Sequence, residues 1–547
     1  MSERPETVEA EIPASLRGQV QGKLALAGEQ RVEERLLEGD STLWAPQGTP
    51  EVADRLGWLT IAERMLDQLE EIEAFVAEVR ASGFADVVLL GMGGSSLAPE
   101  VLRRSFGHSP GHPRLHVLDS TDAASILAIT GAVDPHRTLF IVSSKSGGTI
   151  EPLSLFAHFW ALIEDGAHFV AITDPGSGLE ELAKAHQFRH TFFGDPNIGG
   201  RYSALSAFGI VPAALIGADV RGLLEGASQA WETTIAADAG GVQGAGVWLG
   251  AALSALALQG RDKLTFLISD SLPGLGLWLE QLVAESTGKH GKGILPVAEE
   301  PAGAPEEYGS DRVFAHLPDV GLPDPGLDAR VRALNAAGHP LITIPTAGPA
   351  DLGRLFLLWE IAVAVAGWGL EINPFDQPNV QQAKDATKRV LGGYEASHEL
   401  PAVKDASESA LAELLLGAAP PSYVAIMAYT QTSPEFDGAL SDLRTAIRAA
   451  TRATTTFGYG PRFLHSTGQF HKGGPKTGRF LQLLHDGPAD VEIPGAPYTF
   501  TTLKRAQAIG DLQTLRASDL PAERVTLPGE DPVGAVRALT AMIKEQT

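Results

Sequence analysis

The sequence alternates short apolar runs with helical segments, and this alternation limits the fold more than any other feature. Four apolar runs in the first half are typical of buried strands. They are Asp86–Leu90, Leu115–Leu118, Leu139–Ser143 and Phe169–Thr173. A similar series of strands and helices begins at Leu264–Ser269. Strands separated by helices favour parallel sheets with helices on both faces, so the pattern predicts an α/β protein.

The length and the changes in pattern suggest several domains. At about 100–200 residues per domain, 547 residues are enough for two to four domains. We predict an N-terminal helical arm at residues 1–45 and two parallel-sheet domains at residues 46–230 and 231–395. A C-terminal α/β region at residues 396–547 would follow them. The boundary between the two sheet domains falls in the segment 219–246, where glycine and alanine are dense.

Composition excludes several classes of function. The chain has 42 Lys and Arg against 67 Asp and Glu, a net charge of −25, which argues against nucleic acid or an anionic membrane as a partner. It has no cysteine, which excludes disulfides, thiolate catalysis and cysteine-ligated zinc. The apolar stretch Leu355–Leu370 is shorter than the roughly 20 residues of a membrane span and predicts a buried helix. Residues 1–22 lack the apolar core of a secretory signal, so we expect a cytoplasmic protein.

Two loops have the composition of phosphate-binding turns. Gly91–Ser96 (GMGGSS) follows the first strand, and Ser143–Thr149 (SSKSGGT) follows the third. Each precedes a helix, and a helix N-terminus presents free backbone N–H groups and the positive end of the dipole. The second loop adds several hydroxyls and the ammonium group of Lys145. Together the loops predict a phosphate site that requires no metal.

Polar side chains in two further segments suit proton transfer. Gln281 and Glu285 are four residues apart and therefore share one face of a helix that Gly288 is expected to end. The negative end of the dipole opposes a carboxylate there, which favours a group that accepts a proton. Arg201 follows two glycines, so it can approach a substrate closely and stabilise negative charge.

Two later loops also concentrate polar groups. Phe375–Lys384 (FDQPNVQQAK) places Gln377 and Lys384 at the start of a helix. The long loop 458–478 contains His465 and His471 among flexible glycines, and loops of this kind often carry catalytic groups. Neither histidine has the spacing of a metal site, and we expect no metal.

These segments together resemble the successive signatures of the glucose-6-phosphate isomerase family. They occur in the family's order, and they are closest to the isomerase half of bifunctional transaldolase/glucose-6-phosphate isomerase proteins. The matching segments are GMGGSSLAP (91–99), SKSGGTIE (144–151), GGRYS (199–203), QLVAESTGK (281–289) and FDQPNVQQAK (375–384). The resemblance implies two sugar-isomerase-type (SIS, flavodoxin-like) domains followed by the C-terminal α/β region. It also implies interconversion of glucose 6-phosphate and fructose 6-phosphate through a cis-enediolate, without a cofactor.

The resemblance implies a role for each matching residue. Glu285 would move the proton between C1 and C2, and Arg201 would stabilise the charge of the intermediate. Lys384 would lie near the ring oxygen during opening, and Gln281 and Gln377 would position the sugar. The phosphate would be bound by Gly94, Ser95, Ser144, Lys145, Ser146 and Thr149.

The histidine that opens the sugar ring departs from the family pattern. In the family it belongs to a G-T-N-x-x-H segment that precedes the FDQ motif. Here the best counterpart is Ser466–His471 (STGQFH), which follows that motif. We therefore predict that His471 opens the ring and that His465 contacts the substrate. In dimeric relatives the histidine comes from the partner subunit, so both a monomer and a homodimer are compatible with the sequence.

Two other functions are compatible with parts of the sequence. A non-catalytic regulatory protein of the sugar-isomerase type would keep the phosphate loops and bind a small sugar phosphate without turnover. An NAD(P)-dependent oxidoreductase would use the glycine-rich turn after the first strand, with Asp119 on the ribose. Ser96 stands where the dinucleotide fingerprint has its third glycine, which disfavours the oxidoreductase.

Overall fold

The computed structural model describes residues 8–237 and 244–546. Residues 1–7 of the predicted arm and residues 238–243 of the predicted boundary segment lie outside the described residues, as does Thr547. The described helices surround three separate β-sheets.

The first sheet contains five parallel strands in the order β3-β2-β4-β5-β6. The strands are β2 (Asp86–Leu90), β3 (Arg114–Leu118), β4 (Thr138–Ser143), β5 (Phe169–Thr173) and β6 (His190–Phe193). The four strands predicted from sequence are confirmed, whereas β6, whose four residues are mostly not buried, was not predicted. The chain crosses from β3 over β2 to β4, so the loops that follow β2 and β4 meet at the carboxyl edge of the sheet.

Helices cover both faces of this sheet. Strands β2, β4 and β5 are fully buried, so the helices that pack on this sheet turn apolar residues toward them. The helices of this part of the chain are α3 (Ile61–Asp67), α4 (Leu69–Ala81), α5 (Leu97–Phe106), α6 (Ala123–Ala132), α7 (Ile150–Ile163), α8 (Gly178–Ala185), α9 (Ala207–Leu215) and α10 (Val220–Ala237).

The second sheet has four parallel strands and one antiparallel edge strand, in the order β1-β10-β9-β7-β8. The strands are β1 (Glu9–Glu11), β7 (Lys263–Ile268), β8 (Leu295–Val297), β9 (Arg312–Leu317) and β10 (Leu341–Thr343). The N-terminal arm is therefore not purely helical. Its residues 9–11 are exposed and have no strand-like apolar pattern, and they form a strand because they pair through the backbone with β10.

The helices around the second sheet include those that form the centre of the molecule. Gly250 allows two of them, α11 and α14, to approach closely, because a Cβ there would lie 2.2 Å from the carbonyl oxygen of Ala362. The helices are α1 (Ala14–Glu29), α2 (Val32–Leu37), α11 (Ala245–Leu258), α12 (Leu275–Thr287), α13 (Pro325–Ala336) and α14 (Leu352–Leu370). The next helix, α15 (Pro378–Ser397), instead packs Val390 and Leu391 into the core of the first sheet. Among the described residues one helical stretch, Gly348–Leu370, is long and apolar enough to cross a membrane, but 94% of its apolar window is buried inside the protein. This is the burial expected of a core helix.

The third sheet lies in the C-terminal region, with four parallel strands in the order β12-β11-β13-β14. The strands are β11 (Tyr423–Tyr429), β12 (Thr454–Tyr459), β13 (Gly478–Leu484) and β14 (Ala522–Thr526). Its helices are α16 (Glu408–Leu416), α17 (Pro434–Thr451), α18 (Gly468–Gly473), α19 (Phe500–Ala517) and α20 (Pro532–Glu545). The helix α17 ends at Thr451, and the β-branched and aromatic run TTTF at 454–457 that follows it forms β12 against β11.

A buried ionic cluster joins the second sheet to the third region. The Glu300 carboxylate accepts two hydrogen bonds from Arg312 of β9, at 2.9 and 3.1 Å, and one from the Thr455 hydroxyl of β12 at 3.0 Å. Arg448 of α17 lies 3.6 Å from the same carboxylate. Burial alone would raise the pKa of Glu300, but the surrounding guanidinium groups outweigh it and hold the pKa below its ordinary value. The third region is therefore attached to the second sheet through buried ion pairs, in which each charge is stabilised by the opposite charge beside it.

Removing the charge of Glu300 should loosen this attachment. We expect Glu300→Gln to lower the free energy of unfolding by at least about 2 kcal/mol, because the buried Arg312 guanidinium loses its counter-ion, whereas Arg448 keeps its ion pair with Glu307. Chemical denaturation followed by circular dichroism measures the change. Glu306→Gln is the matched control, since Glu306 is exposed and nearby. Equal stability of the two variants would contradict this account of the interface.

Candidate active site

The two predicted phosphate loops lie side by side at the carboxyl edge of the first sheet. Both line a cavity of about 340 Å³, to which they contribute Gly93, Gly94, Ser95, Ser143, Ser144, Lys145, Ser146 and Thr149. Gly94 must be glycine, because a Cβ there would lie 2.0 Å from the carbonyl oxygen of Gly200. The Ser144 hydroxyl donates to the Thr149 hydroxyl at 3.3 Å. The structure thus brings all six predicted phosphate ligands to one cavity.

The ammonium group of Lys145 is already bound. Its Nζ lies 2.8 and 2.6 Å from the two carboxylate oxygens of Asp174 and 2.7 Å from the carbonyl oxygen of Asp195. Burial lowers the pKa of Lys145 and raises that of Asp174, and their mutual attraction opposes both shifts. Asp174 was not identified from the sequence, because no motif links it to the phosphate loop that contains Lys145.

Glu285 and Gln281 occupy the floor of the cavity. Glu285 lies in the last turn of α12, which ends at Thr287 before Gly288, as predicted. The Gln281 side-chain amide donates to Glu285 at 3.0 Å and to the backbone carbonyl of His465 at 2.9 Å. One carboxylate oxygen of Glu285 is thereby fixed while its side chain remains 10% exposed toward the cavity.

Arg201 lies beneath this floor and does not line the cavity itself. Its side chain is 1% exposed, and its Nη1 is 3.3 Å from a Glu285 oxygen. It also donates to the hydroxyl of Ser286 at 2.8 Å and to the side-chain oxygen of Gln377 at 2.9 Å. Two backbone carbonyls of the FDQ loop, those of Pro374 and Asp376, accept from Nη2. Arg201 is thus a fixed positive charge directly behind the carboxylate.

Gln377 and Lys384 close one side of the cavity. Both line it, and they lie at the beginning of α15. The Gln377 amide also donates to the Glu51 carboxylate at 3.2 Å, which links the FDQ loop to the segment 46–57. The structure therefore brings Gln377 and Lys384 to the same cavity as Gln281.

His465 reaches the cavity from the C-terminal region. Its Nε2 lies 3.0 Å from the carboxylate of Glu151, which is buried and accepts a second hydrogen bond from Gln507 at 2.8 Å. Burial alone would raise the pKa of Glu151, but the His465 ring, a backbone hydrogen bond and the charge of Lys384 together outweigh it, so the pKa lies below its ordinary value. Glu151 therefore orients the imidazole. It belongs to the SKSGGTIE segment, but only the folded chain shows that it faces a histidine 314 residues away.

His471, which the sequence predicts to open the ring, does not line the cavity. His471 lies on α18, outside the cavity, with its ring stacked on Tyr423 and its Nδ1 2.9 Å from the tyrosine hydroxyl. Burial lowers its pKa to about 3. The imidazole that lines the cavity belongs to His465.

The buried, neutral His471 should make stability depend on pH. The unfolded chain takes up a proton near pH 6.5, whereas the folded chain does so only near pH 3. The free energy of unfolding should therefore fall as pH falls from 6.5 toward 3, by up to about 1.4 kcal/mol per unit for this group. We expect His471→Gln to flatten that slope, measured by denaturation across the interval. An unchanged slope would contradict the burial of a neutral imidazole.

Asp119 does not have the position that a ribose-binding acid would need. Its carboxylate accepts two hydrogen bonds from Arg462, both at 2.7 Å, and one from the Ser96 hydroxyl at 3.1 Å, and it is buried. Asp119 therefore anchors the loop 458–478, which carries Arg462 and His465, to the first sheet. Within residues 8–237 and 244–546, no three His, Asp or Glu side chains are grouped as metal ligands would be.

Comparisons with known proteins agree with this arrangement. The family described as phosphoglucose isomerase matches residues 52–293. The chain is 31% identical to a glucose-6-phosphate isomerase of Rubrobacter xylanophilus, over 61% of this chain and 89% of that one. It is 30% identical to the enzyme of that name from Thermus thermophilus, over 65% and 95%.

Solved structures share the fold. A hypothetical protein of Thermus thermophilus superimposes with a TM-score of 0.58 at 28% identity, over 71% of this chain and all of the other. A glucose-6-phosphate isomerase from Chlamydia trachomatis gives 0.57 at 18% identity, over 69% and 86%, which shows the fold alone. The identity to curated relatives over most of their length shows that this chain belongs to the glucose-6-phosphate isomerase family.

Proposed function

We infer that the chain interconverts glucose 6-phosphate and fructose 6-phosphate. The observation that carries this conclusion is the position of Glu285, with Arg201 behind it, on the floor of a cavity whose rim is formed by two phosphate loops. Membership of the glucose-6-phosphate isomerase family supports the same reaction. A sugar phosphate whose phosphate group is bound at the rim would have its sugar directed toward Glu285.

Ring opening is the first step, and we assign it to His465. The imidazole held by Glu151 would move a proton between the C1 hydroxyl and the ring oxygen, so that the C1–O5 bond breaks and an aldehyde forms. Lys384 lines the same cavity and can stabilise charge on the ring oxygen. The pairing of His465 with a buried carboxylate supports this role, because it fixes the orientation of the ring at the cavity.

Glu285 then transfers the proton. Its carboxylate would remove the proton from C2 of the open aldose, and the electrons would move onto the C1 oxygen to give a cis-enediolate. Returning the proton to C1, while the proton of the C2 hydroxyl passes to the C1 oxygen, yields the ketose. Arg201 would stabilise the negative charge of this intermediate, as a fixed cation that needs no reorganisation.

Three finer proposals concern the whole protein. We propose that the site is complete in one chain, so that a monomer is active and a homodimer is not required, because His465 comes from the same chain as Glu285. The motif spellings ESTGK, FDQPNVQQAK and RFLHSTGQFHKGGP support a closest relationship to the isomerase half of bifunctional transaldolase/glucose-6-phosphate isomerases. The acidic composition supports a cytoplasmic location.

The reaction can be tested directly. Purified protein given fructose 6-phosphate should produce glucose 6-phosphate, detected with a coupled dehydrogenase. Turnover should persist at protein concentrations low enough to dissociate any dimer. Binding of the sugar phosphate without turnover would overturn the inference and favour a regulatory protein.

A further inference from the structure

The phosphate end of the cavity needs positive charge that the phosphate loops do not supply. A sugar phosphate carries close to two negative charges at neutral pH. Among the described residues that line the cavity, the Lys and Arg side chains are Arg55, Lys145 and Lys384. The net charge of the whole chain is −25, so attraction must be local.

Lys145 contributes little net charge at this position. An ammonium group has three N–H donors, and three acceptor atoms of Asp174 and Asp195 already surround it within 2.8 Å. Asp174 also lines the cavity. The Lys145–Asp174 pair therefore presents no net charge to a ligand. A phosphate oxygen would have to displace a carboxylate oxygen of Asp174 to accept a hydrogen bond from the Lys145 ammonium group.

Arg55 differs because its ion-pair partners are exposed. Its guanidinium lies 3.0 Å from Asp54 and 3.7 Å from Glu51, whose side chains are 53% and 40% exposed. Exposed ion pairs contribute little stability and exchange readily. The remaining contacts of Nη1 are the carbonyl oxygens of Asp54 at 2.8 Å and Pro196 at 3.4 Å. A phosphate can replace the carboxylates without leaving a buried charge unpaired.

The segment that carries Arg55 is fixed on the cavity wall. Glu51 accepts from the Gln377 amide at 3.2 Å and, through its carbonyl, from Asn373 at 3.4 Å. The contact with Pro196 joins the other end to the loop that contains Gly199 and Gly200. Arg55 is also close enough to Lys145 to affect its pKa. Burial is the largest effect and lowers the pKa of Lys145, and the positive charge of Arg55 lowers it further. The carboxylate of Asp174 acts in the opposite direction and raises it.

We propose that Arg55 is the principal cationic ligand of the substrate phosphate, and that the Lys145–Asp174 pair holds the second phosphate loop in shape. The proposal rests on the inferred isomerase function and adds a residue outside all of the motifs that identify the family. The planar guanidinium can donate two parallel hydrogen bonds to phosphate oxygens, which a lysine cannot do.

The test separates phosphate binding from catalysis. Calorimetry would measure the Kd of inorganic phosphate for the parent protein, Arg55→Ala, Arg55→Lys and the control Arg221→Ala, which removes an exposed arginine that pairs with Glu73. We expect Arg55→Ala to raise this Kd, and the KM for fructose 6-phosphate, roughly 10- to 100-fold, with kcat changed less than about 3-fold. Arg55→Lys should be intermediate, and Arg221→Ala should match the parent.

Several outcomes would overturn the proposal. They are a phosphate Kd of Arg55→Ala within about twofold of the parent, an equal loss in Arg221→Ala, or a parent protein that binds no phosphate. Phosphate binding that depends on Arg55 in a protein without isomerase activity would refute the inferred reaction while supporting the role of Arg55 in binding.

Discussion

Glu285→Gln should lower kcat for fructose 6-phosphate by about 10²–10⁴-fold, because the amide cannot accept the proton that must leave carbon. The substitution keeps the shape of the side chain and its contact with the Gln281 amide. It does not touch the phosphate loops, so KM and the Kd of inorganic phosphate should change little. Steady-state kinetics with the coupled dehydrogenase measures the effect.

The neighbouring residue on the same helix provides the control. Glu280 is buried beside Gln281 but lines a different cavity. Burial raises its pKa to about 8, with the Arg444 charge opposing the shift, so the side chain is mostly neutral at pH 7. Glu280→Gln should therefore leave kcat almost unchanged. If Glu280→Gln and Glu285→Gln lost activity equally, the loss would indicate a structural disturbance of α12 rather than the removal of a catalytic base.

His465→Gln should lower kcat by about 10²-fold or more, whereas His471→Gln should stay within a few-fold of the parent. Only the first imidazole lines the cavity, where Glu151 holds it, and only that ring can reach the sugar oxygen. His471 is stacked on Tyr423 outside the cavity. Coupled assays on the two variants, prepared side by side, measure the difference.

A third variant links the histidine to its carboxylate. Glu151→Gln should reproduce part of the defect of His465→Gln, because the imidazole loses the carboxylate that orients it. A large loss in His471→Gln with full activity in His465→Gln would reverse the assignment. That result would require the loop 460–474 to rearrange when the substrate binds.

The groups that sequence analysis located correctly lie close together along the chain. The spacing of Gln281 and Glu285, with Gly288 after them, fixes their common face and their place at a helix end. The loops after β2 and β4 follow strands whose apolar runs are unmistakable. Local pattern is enough for these features because each depends on one strand or helix and the turn beside it.

The features that were missed depend on contacts between distant segments. Asp174 neutralises Lys145 from 29 residues away, and Glu151 meets His465 across 314 residues. The choice between His465 and His471 depends on how the third sheet presents its loop to the first. Motif spelling favoured His471, and only the folded arrangement shows that His465 lines the cavity.

The central claim is that Glu285 moves a proton between C1 and C2 of a sugar phosphate bound in this cavity. The most direct measurement is nuclear magnetic resonance of fructose 6-phosphate incubated with the protein in D₂O. The account predicts that the parent protein forms glucose 6-phosphate and introduces deuterium at C1 or C2, while Glu285→Gln introduces almost none. A parent protein that binds the sugar phosphate but neither converts it nor exchanges its hydrogen, or a Glu285→Gln variant that exchanges at the parent rate, would contradict it.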